Sequence, residues 1–125
     1  MKKLNIYFLL FVFGMILNAC TYDFIAKEEL PPVDQTVDIL FATQIAPIFA
    51  SKCISCHKVG GQSPDLSAAN AYNNIKSMNL LGATPDASLI FTYPNPATTM
   101  HTWMKYSATE AQLVSTWITQ GAKNN

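Results

Sequence analysis

Residues 53–57 read Cys53-Ile54-Ser55-Cys56-His57, and the rest of the 125-residue chain takes its meaning from them. With 3 Cys and 2 His available, this grouping arises by chance in roughly one chain in a thousand. Several chemistries use clustered thiols and imidazoles. A structural zinc site needs four ligands, and beyond these three the chain offers only the distant His101. A thioredoxin-like redox pair wants C-x-x-C in a βαβ setting, and no sustained β alternation is present. A plain disulfide across two residues would leave His57 without a purpose.

The remaining chemistry is covalent attachment of one haem, for which C-x-x-C-H is the attachment pattern. Two thiols separated by two residues can add across the two vinyl groups of one porphyrin. The imidazole that follows then reaches the iron from the same side. Cys53 and Cys56 are therefore the expected thioether positions, and His57 the expected proximal iron ligand.

Around the motif the pattern is helical. Thr43 to Lys52 puts Ile45, Ile48 and Phe49 on one face, with Thr43 as a candidate cap and Pro47 near the first turn, where a missing N–H costs least. A start near Asp38 would instead make Pro47 kink the helix. Ser67 to Met78 reads as a second helix capped by Ser67, and Asp86 to Thr92 as a short third one between Pro85 and Pro94. Ser107 and Glu110 are spaced as a capping box for the last helix, and Gly121 stands where the chain should leave it. Its apolar face of Leu113, Val114, Trp117 and Ile118 is expected to pack on Ile45, Ile48 and Phe49. From Asn79 to Tyr106 the chain is rich in Pro and Thr and mostly irregular, and loops of that length are usually functional or disordered. The expected fold class is all-α.

The beginning of the chain reads differently. Lys2 and Lys3 precede a twelve-residue apolar run from Ile6 to Leu17, broken only by Gly14, and then Leu17-Asn18-Ala19-Cys20. That order matches a secretory signal peptide, and the run is short for a spanning helix, which needs about 20 apolar residues. The small residue before Cys20 resembles the lipobox of bacterial lipoproteins, in which the cysteine sulfur receives a diacylglycerol and the new amino terminus a fatty acyl chain such as palmitate. Residues 1–19 are thus read as the signal peptide and 20–36, with Pro31-Pro32, as a lipid-anchored tether. Residues 37–125 form the folded domain. Fourteen of the chain's hydrophobic residues fall in the first 19 positions, so the 50% hydrophobic content overstates the core.

Eight basic and eight acidic residues cancel, and there is no Arg. Nothing here supplies the basic footprint that a row of phosphates needs, so no nucleic-acid partner is expected.

Four stretches beside the motif carry a family resemblance: Gln44-Ile45-Ala46-Pro47-Ile48-Phe49 before it, then Pro64-Asp65-Leu66, Ser88-Leu89, and Trp117-Ile118-Thr119-Gln120-Gly121-Ala122. With Cys53 to His57 they make residues 39–125 resemble the single-haem class I c-type cytochromes, particularly the short planctomycete-type domains of bacterial envelope proteins. The resemblance implies a small helical domain around one covalent haem c, with first and last helices crossing and a late-loop Met as distal ligand. Family members usually place that Met, followed by proline, about seventeen residues before the Trp-Ile of the last helix. Met100 has this spacing to Trp117 and Met104 is closer, so Met100 is the expected distal ligand. His101-Thr102-Trp103 stands where the prolines would be, which keeps His101 as a rival nitrogen ligand and Met104 as a second sulfur. Met78 ends an apolar helical face, where a core role suffices.

The functional expectation is a membrane-anchored, mono-haem electron carrier of the cell envelope, facing the periplasm or the cell surface and meeting its redox donor and acceptor transiently. It is not expected to be an enzyme. The alternatives are a haem peroxidase or ligand-binding site with an open distal position, and a haem module of a larger envelope redox complex. Lys52 and Lys58 flank the motif as a candidate docking patch.

Overall fold

The computed structural model describes residues 33–125. The signal peptide, Cys20 and most of the tether lie outside the described residues. Among the described residues there are helices and no strands, as the helical periodicity led one to expect. A wide π-helical turn, Phe41–Ile45, runs directly into α1, Ala46–Lys52. Then come α2, Ala71–Ser77, a 3-10 turn, Pro85–Ala87, the short α3, Leu89–Thr92, and α4, Ala108–Thr119.

The first helix starts earlier than Thr43 and by a different device. Thr43 is not its cap. The Leu40 N–H donates to Gln44 Oε1 at 2.8 Å, and the Gln44 N–H donates back to the Leu40 carbonyl at 3.0 Å. The Ala46 N–H then reaches back five residues to the Phe41 carbonyl. This wider turn delivers the chain to Pro47 where no N–H is required of it, so the early start is accommodated.

The second helix is shorter than its apolar pattern. Ser67 is not the capping acceptor: Asp65 accepts from the Ser67 N–H at 2.9 Å and from the Asn70 side-chain amide at 2.6 Å. Residues 67–70 form a turn, and α2 begins only at Ala71. The same hydrogen bonds, the Ser67 N–H foremost, hold the Asp65 carboxyl below its ordinary range.

The expected third helix is split at Ser88, whose backbone is extended. Its fully buried hydroxyl accepts from the Gly82 N–H at 2.9 Å and donates to the Thr84 carbonyl at 2.7 Å. Gly82 is required there, since a Cβ would lie 2.4 Å from the Ala87 carbonyl oxygen.

The last helix follows its sequence signals closely. Ser107 Oγ accepts from the Glu110 N–H while Glu110 Oε2 accepts from the Ser107 N–H at 2.6 Å, a reciprocal capping box. At the other end the Ala122 N–H reaches the Trp117 carbonyl and the Gly121 N–H reaches that of Ile118, both at 2.9 Å. That is the Schellman pattern, with Gly121 at φ +94 in the left-handed region.

One apolar core holds these pieces together. Ile45, Phe49, Ile75, Val114 and Trp117 are fully buried in it, with Ile48 and Ile118 nearly so. Leu113 packs at its edge. The crossing of the first and last helical elements of the described residues is made by the Phe41–Ile45 turn against α4, where the Phe41 and Trp117 rings stand 5.4 Å apart. The Phe41 ring also meets Tyr72 edge-on at 5.3 Å. Val33 packs against this core, and Gln120 Nε2 donates to the Gln35 and Val37 carbonyls, so the fold's contacts reach back into residues 33–36.

The capping box gives α4 a pH-dependent element. Burial raises the Glu110 pKa, but the Ser107 N–H and the Lys52 ammonium together outweigh it and leave the carboxyl below its ordinary value. A carboxyl depressed in the folded state contributes stability that is complete above its unfolded value, about 4.3, and is lost as pH falls through the lower folded one. Urea unfolding of Glu110→Gln and wild type should therefore differ at pH 7 and converge in the acid range. A difference that persisted undiminished at low pH would contradict this. Ser107→Ala should cost about 1 kcal/mol at neutral pH.

Candidate haem site

α1 ends at Lys52, and the motif continues as a tight turn off its last carbonyls. The Cys53 N–H donates to the Phe49 carbonyl at 2.8 Å, and the His57 N–H to the Cys53 carbonyl at the same distance. This turn puts the three motif side chains on the end of a helix anchored by Phe49 in the core. Cys53 is half-buried and Cys56 exposed, and the two thiols are not joined. Burial pushes the Cys53 thiol up to about 11, with the Glu110 carboxylate adding to the effect and Lys52 opposing it. Before haem attaches, its Sγ is therefore a protonated thiol at neutral pH.

Beside the motif lies a cavity of about 480 Å³, within the range of cofactor sites. Its apolar lining includes Leu66, Leu80, Ile90 and Tyr106. Cys53 and His57 open onto it from one side, and His101 and Trp103 from the late loop. His57 Nδ1 lies 3.1 Å from the Pro64 carbonyl oxygen. A ring nitrogen that donates to a carbonyl fixes the tautomer, leaving Nε2 as the free lone pair for a metal. Pro64-Asp65-Leu66 was legible as a stretch in the sequence, but not the orienting role of the Pro64 carbonyl. The Leu66 N–H donates to the His57 carbonyl at 2.9 Å, which keeps that segment against the motif.

The late loop is closed at its base and braced from inside. The Tyr106 N–H donates to the Pro94 carbonyl at 2.9 Å, and the Tyr106 hydroxyl to that of Ile90 at 2.8 Å. Lys105 Nζ donates to the Asn95 and Thr98 carbonyls, and Thr98 Oγ1 to that of Thr92. Lys52 Nζ adds a bond to the Lys105 carbonyl at 3.1 Å and an ion pair with Glu110 at 2.9 Å. Lys52 is thus engaged in holding the loop to α4 and is not a free docking charge.

Of the distal candidates, His101 lines the cavity, with its ring centroid 6.1 Å from that of His57 and the planes inclined by 31°. Met78 also lines it, and its sulfur accepts from the Ser63 hydroxyl at 3.4 Å. Met100 and Met104 are about half exposed and are not among the lining residues. Spacing singled out Met100; the loop's own fold brings its neighbour to the cavity.

These residues fit a covalent haem: the Cys53 thiol opens onto an apolar slot, the exposed Cys56 thiol follows three residues on in the same turn, and beside them stands an imidazole whose other nitrogen is engaged by a backbone carbonyl. Bound there, the haem supplies a one-electron iron couple. Among the described residues no group of three or more His, Cys, Asp or Glu is placed to hold a bare metal ion. No helix among the described residues is long and apolar enough to cross a membrane. Comparison with curated proteins and with solved structures finds no match. A family model described as cytochrome c matches residues 42–122, from the first helix through the motif to the end of the Schellman turn. With the match spanning most of the chain, and motif, helical fold and slot agreeing, the chain belongs to the cytochrome c family: a domain that binds haem c covalently and carries electrons.

Proposed function

We propose that the chain is an exported lipoprotein of the planctomycete-type cytochrome group, whose haem domain moves single electrons at the bacterial cell envelope. The observation that carries this reading is the pairing of Cys53-Ile54-Ser55-Cys56-His57 with the export and lipobox pattern ending at Cys20. Haem attachment to such motifs takes place outside the cytoplasm, so a leader and a haem motif belong together. Cys53 and Cys56 hold the porphyrin, and His57 ligates the iron through the nitrogen opposite Pro64. The second axial ligand comes from the late loop. Filling both positions leaves no place for substrate, which favours an electron carrier over a peroxidase. Cys20 carries diacylglycerol, and with an acylated amino terminus more than one chain gives a stable anchor. The segment between Cys20 and Val33 tethers the domain to that anchor, from which it reaches a soluble or membrane-bound donor and acceptor in turn.

The test uses the full chain in a host that attaches haem c. The mature protein is expected in the membrane fraction, beginning at residue 20, with the mass of one haem and one diacylglycerol-modified terminus. Cys20→Ala should shift it to the soluble or uncleaved form with haem retained. A lipid-free mature protein, or Cys20→Ala still processed and membrane-bound, would overturn the anchor. Catalytic peroxide turnover by the purified protein would overturn the carrier reading.

A further inference from the structure

We infer that His101, rather than a methionine, is the distal iron ligand, so that the haem is held between two imidazoles. The inference rests on the haem reading above and deepens it. Two imidazoles bound on opposite sides of one metal, with each nitrogen about 2 Å from it, have ring centroids about 6.3 Å apart, whereas on a tetrahedral ion they come to about 5.2 Å. The His57 and His101 rings stand 6.1 Å apart. Aromatic pairs in ordinary contact also span about 4.5–7 Å, so the inference is carried by that distance together with the placing of both rings on one apolar cavity. Both line the same slot. In trans ligation each ring plane contains the bond axis and the rings are free to rotate about it, so ligation does not require the two planes to be parallel, and the 31° between them is compatible with it.

The backbone supports the same assignment. His101 has φ +49, in the left-handed region that non-glycine residues rarely enter. The loop around it is over-determined, with Lys105, Thr98 and Tyr106 donating to the Asn95, Thr98, Thr92, Pro94 and Ile90 carbonyls. A residue held in this conformation by a braced loop at the mouth of a cofactor slot is placed there for its side chain. The Met-Pro turn of the family is absent from this chain, and His101 occupies the position directly after Met100.

The chemical consequence is a shift in the kind of electrons the protein handles. A thioether ligand raises the iron potential relative to a second imidazole. The protein would thus exchange electrons with lower-potential partners than a Met-ligated relative, and its iron would resist external ligands.

Absorption and electron spin resonance spectra of the oxidised haem-loaded protein test this. The wild type should be low-spin with no sulfur-to-iron charge-transfer band. His101→Ala should lose the low-spin signal and regain it when imidazole is added, while Met100→Leu and Met104→Leu leave the spectrum unchanged. His101→Met should raise the midpoint potential. A charge-transfer band in the wild type that disappears in Met100→Leu or Met104→Leu would overturn the assignment, as would a His101→Ala spectrum identical to wild type. Because the thioethers hold the haem in every variant, its mass separates the two claims. A wild type without haem mass would sink the haem reading itself, whereas haem present with sulfur ligation would sink only His101.

Discussion

Cys53→Ala with Cys56→Ala yields a protein that carries no covalent haem, where the wild type carries one per chain. The expected change is complete. Each thiol adds its S–H across one vinyl group, and the described residues contain no thiol besides Cys53 and Cys56 to take their place. Denaturing mass spectrometry reads the result directly, and a haem adduct surviving in the double variant would refute the attachment. His57→Ala should behave differently, retaining some thioether-bound haem while losing the proximal ligand and the low-spin spectrum. The loss also reaches the fold. Without the porphyrin, a slot of about 480 Å³ lined by Leu66, Leu80, Ile90 and Tyr106 faces water, in a domain already near the size at which a core alone is marginal. The double variant should therefore unfold at lower denaturant concentration as well as lack colour.

Trp117→Ala is the second large effect, on stability rather than on chemistry. The indole is wholly buried, stands 5.4 Å from the Phe41 ring, and donates through Nε1 to the Lys123 carbonyl at 2.9 Å. Truncating a buried Trp typically costs 3–5 kcal/mol, a large part of the 5–15 kcal/mol that holds small domains folded. Chemical denaturation of the haem-loaded protein measures it. A cost below about 1 kcal/mol would show that the crossing of the Phe41–Ile45 turn with α4 is not the structural centre described above. Trp117→Phe should lie between, since it keeps the ring packing and leaves the Lys123 carbonyl without its donor.

What could be read from the sequence was what local spacing determines. The motif is five consecutive residues, and the capping box and Gly121 are contacts within one turn of a helix, so each appears as a pattern in the chain. The start of the first helix was missed because its cap is reciprocal between Leu40 and Gln44 and is followed by a wider turn, a pattern that the Thr43 hydroxyl imitates. Ser67 likewise sits in a turn held by the Asp65 carboxylate two residues earlier, and α2 begins only at Ala71, without a side-chain cap. The distal side of the haem site was the least legible. Whether Met100 or His101 faces the cavity depends on the path of the late loop. That path is set by side chains donating to carbonyls up to 16 residues away, and at its base by Lys52, which is 53 positions from the carbonyl it binds. Spacing to Trp117 measures chain length and is blind to a one-residue rotation of the loop.

Gln120 has a mechanical consequence. Its side-chain oxygen accepts from the Ile39 N–H at 2.8 Å while its nitrogen holds the Gln35 and Val37 carbonyls, and Lys123 pairs with Asp38 at 2.7 Å. Any tension arriving along the chain ahead of Val33 is therefore taken up by the end of α4 before it reaches α1 and the motif. Force applied ahead of Val33 would thus load the C-terminal end of α4, on the far side of Trp117 from the capping box, before it loads the haem motif.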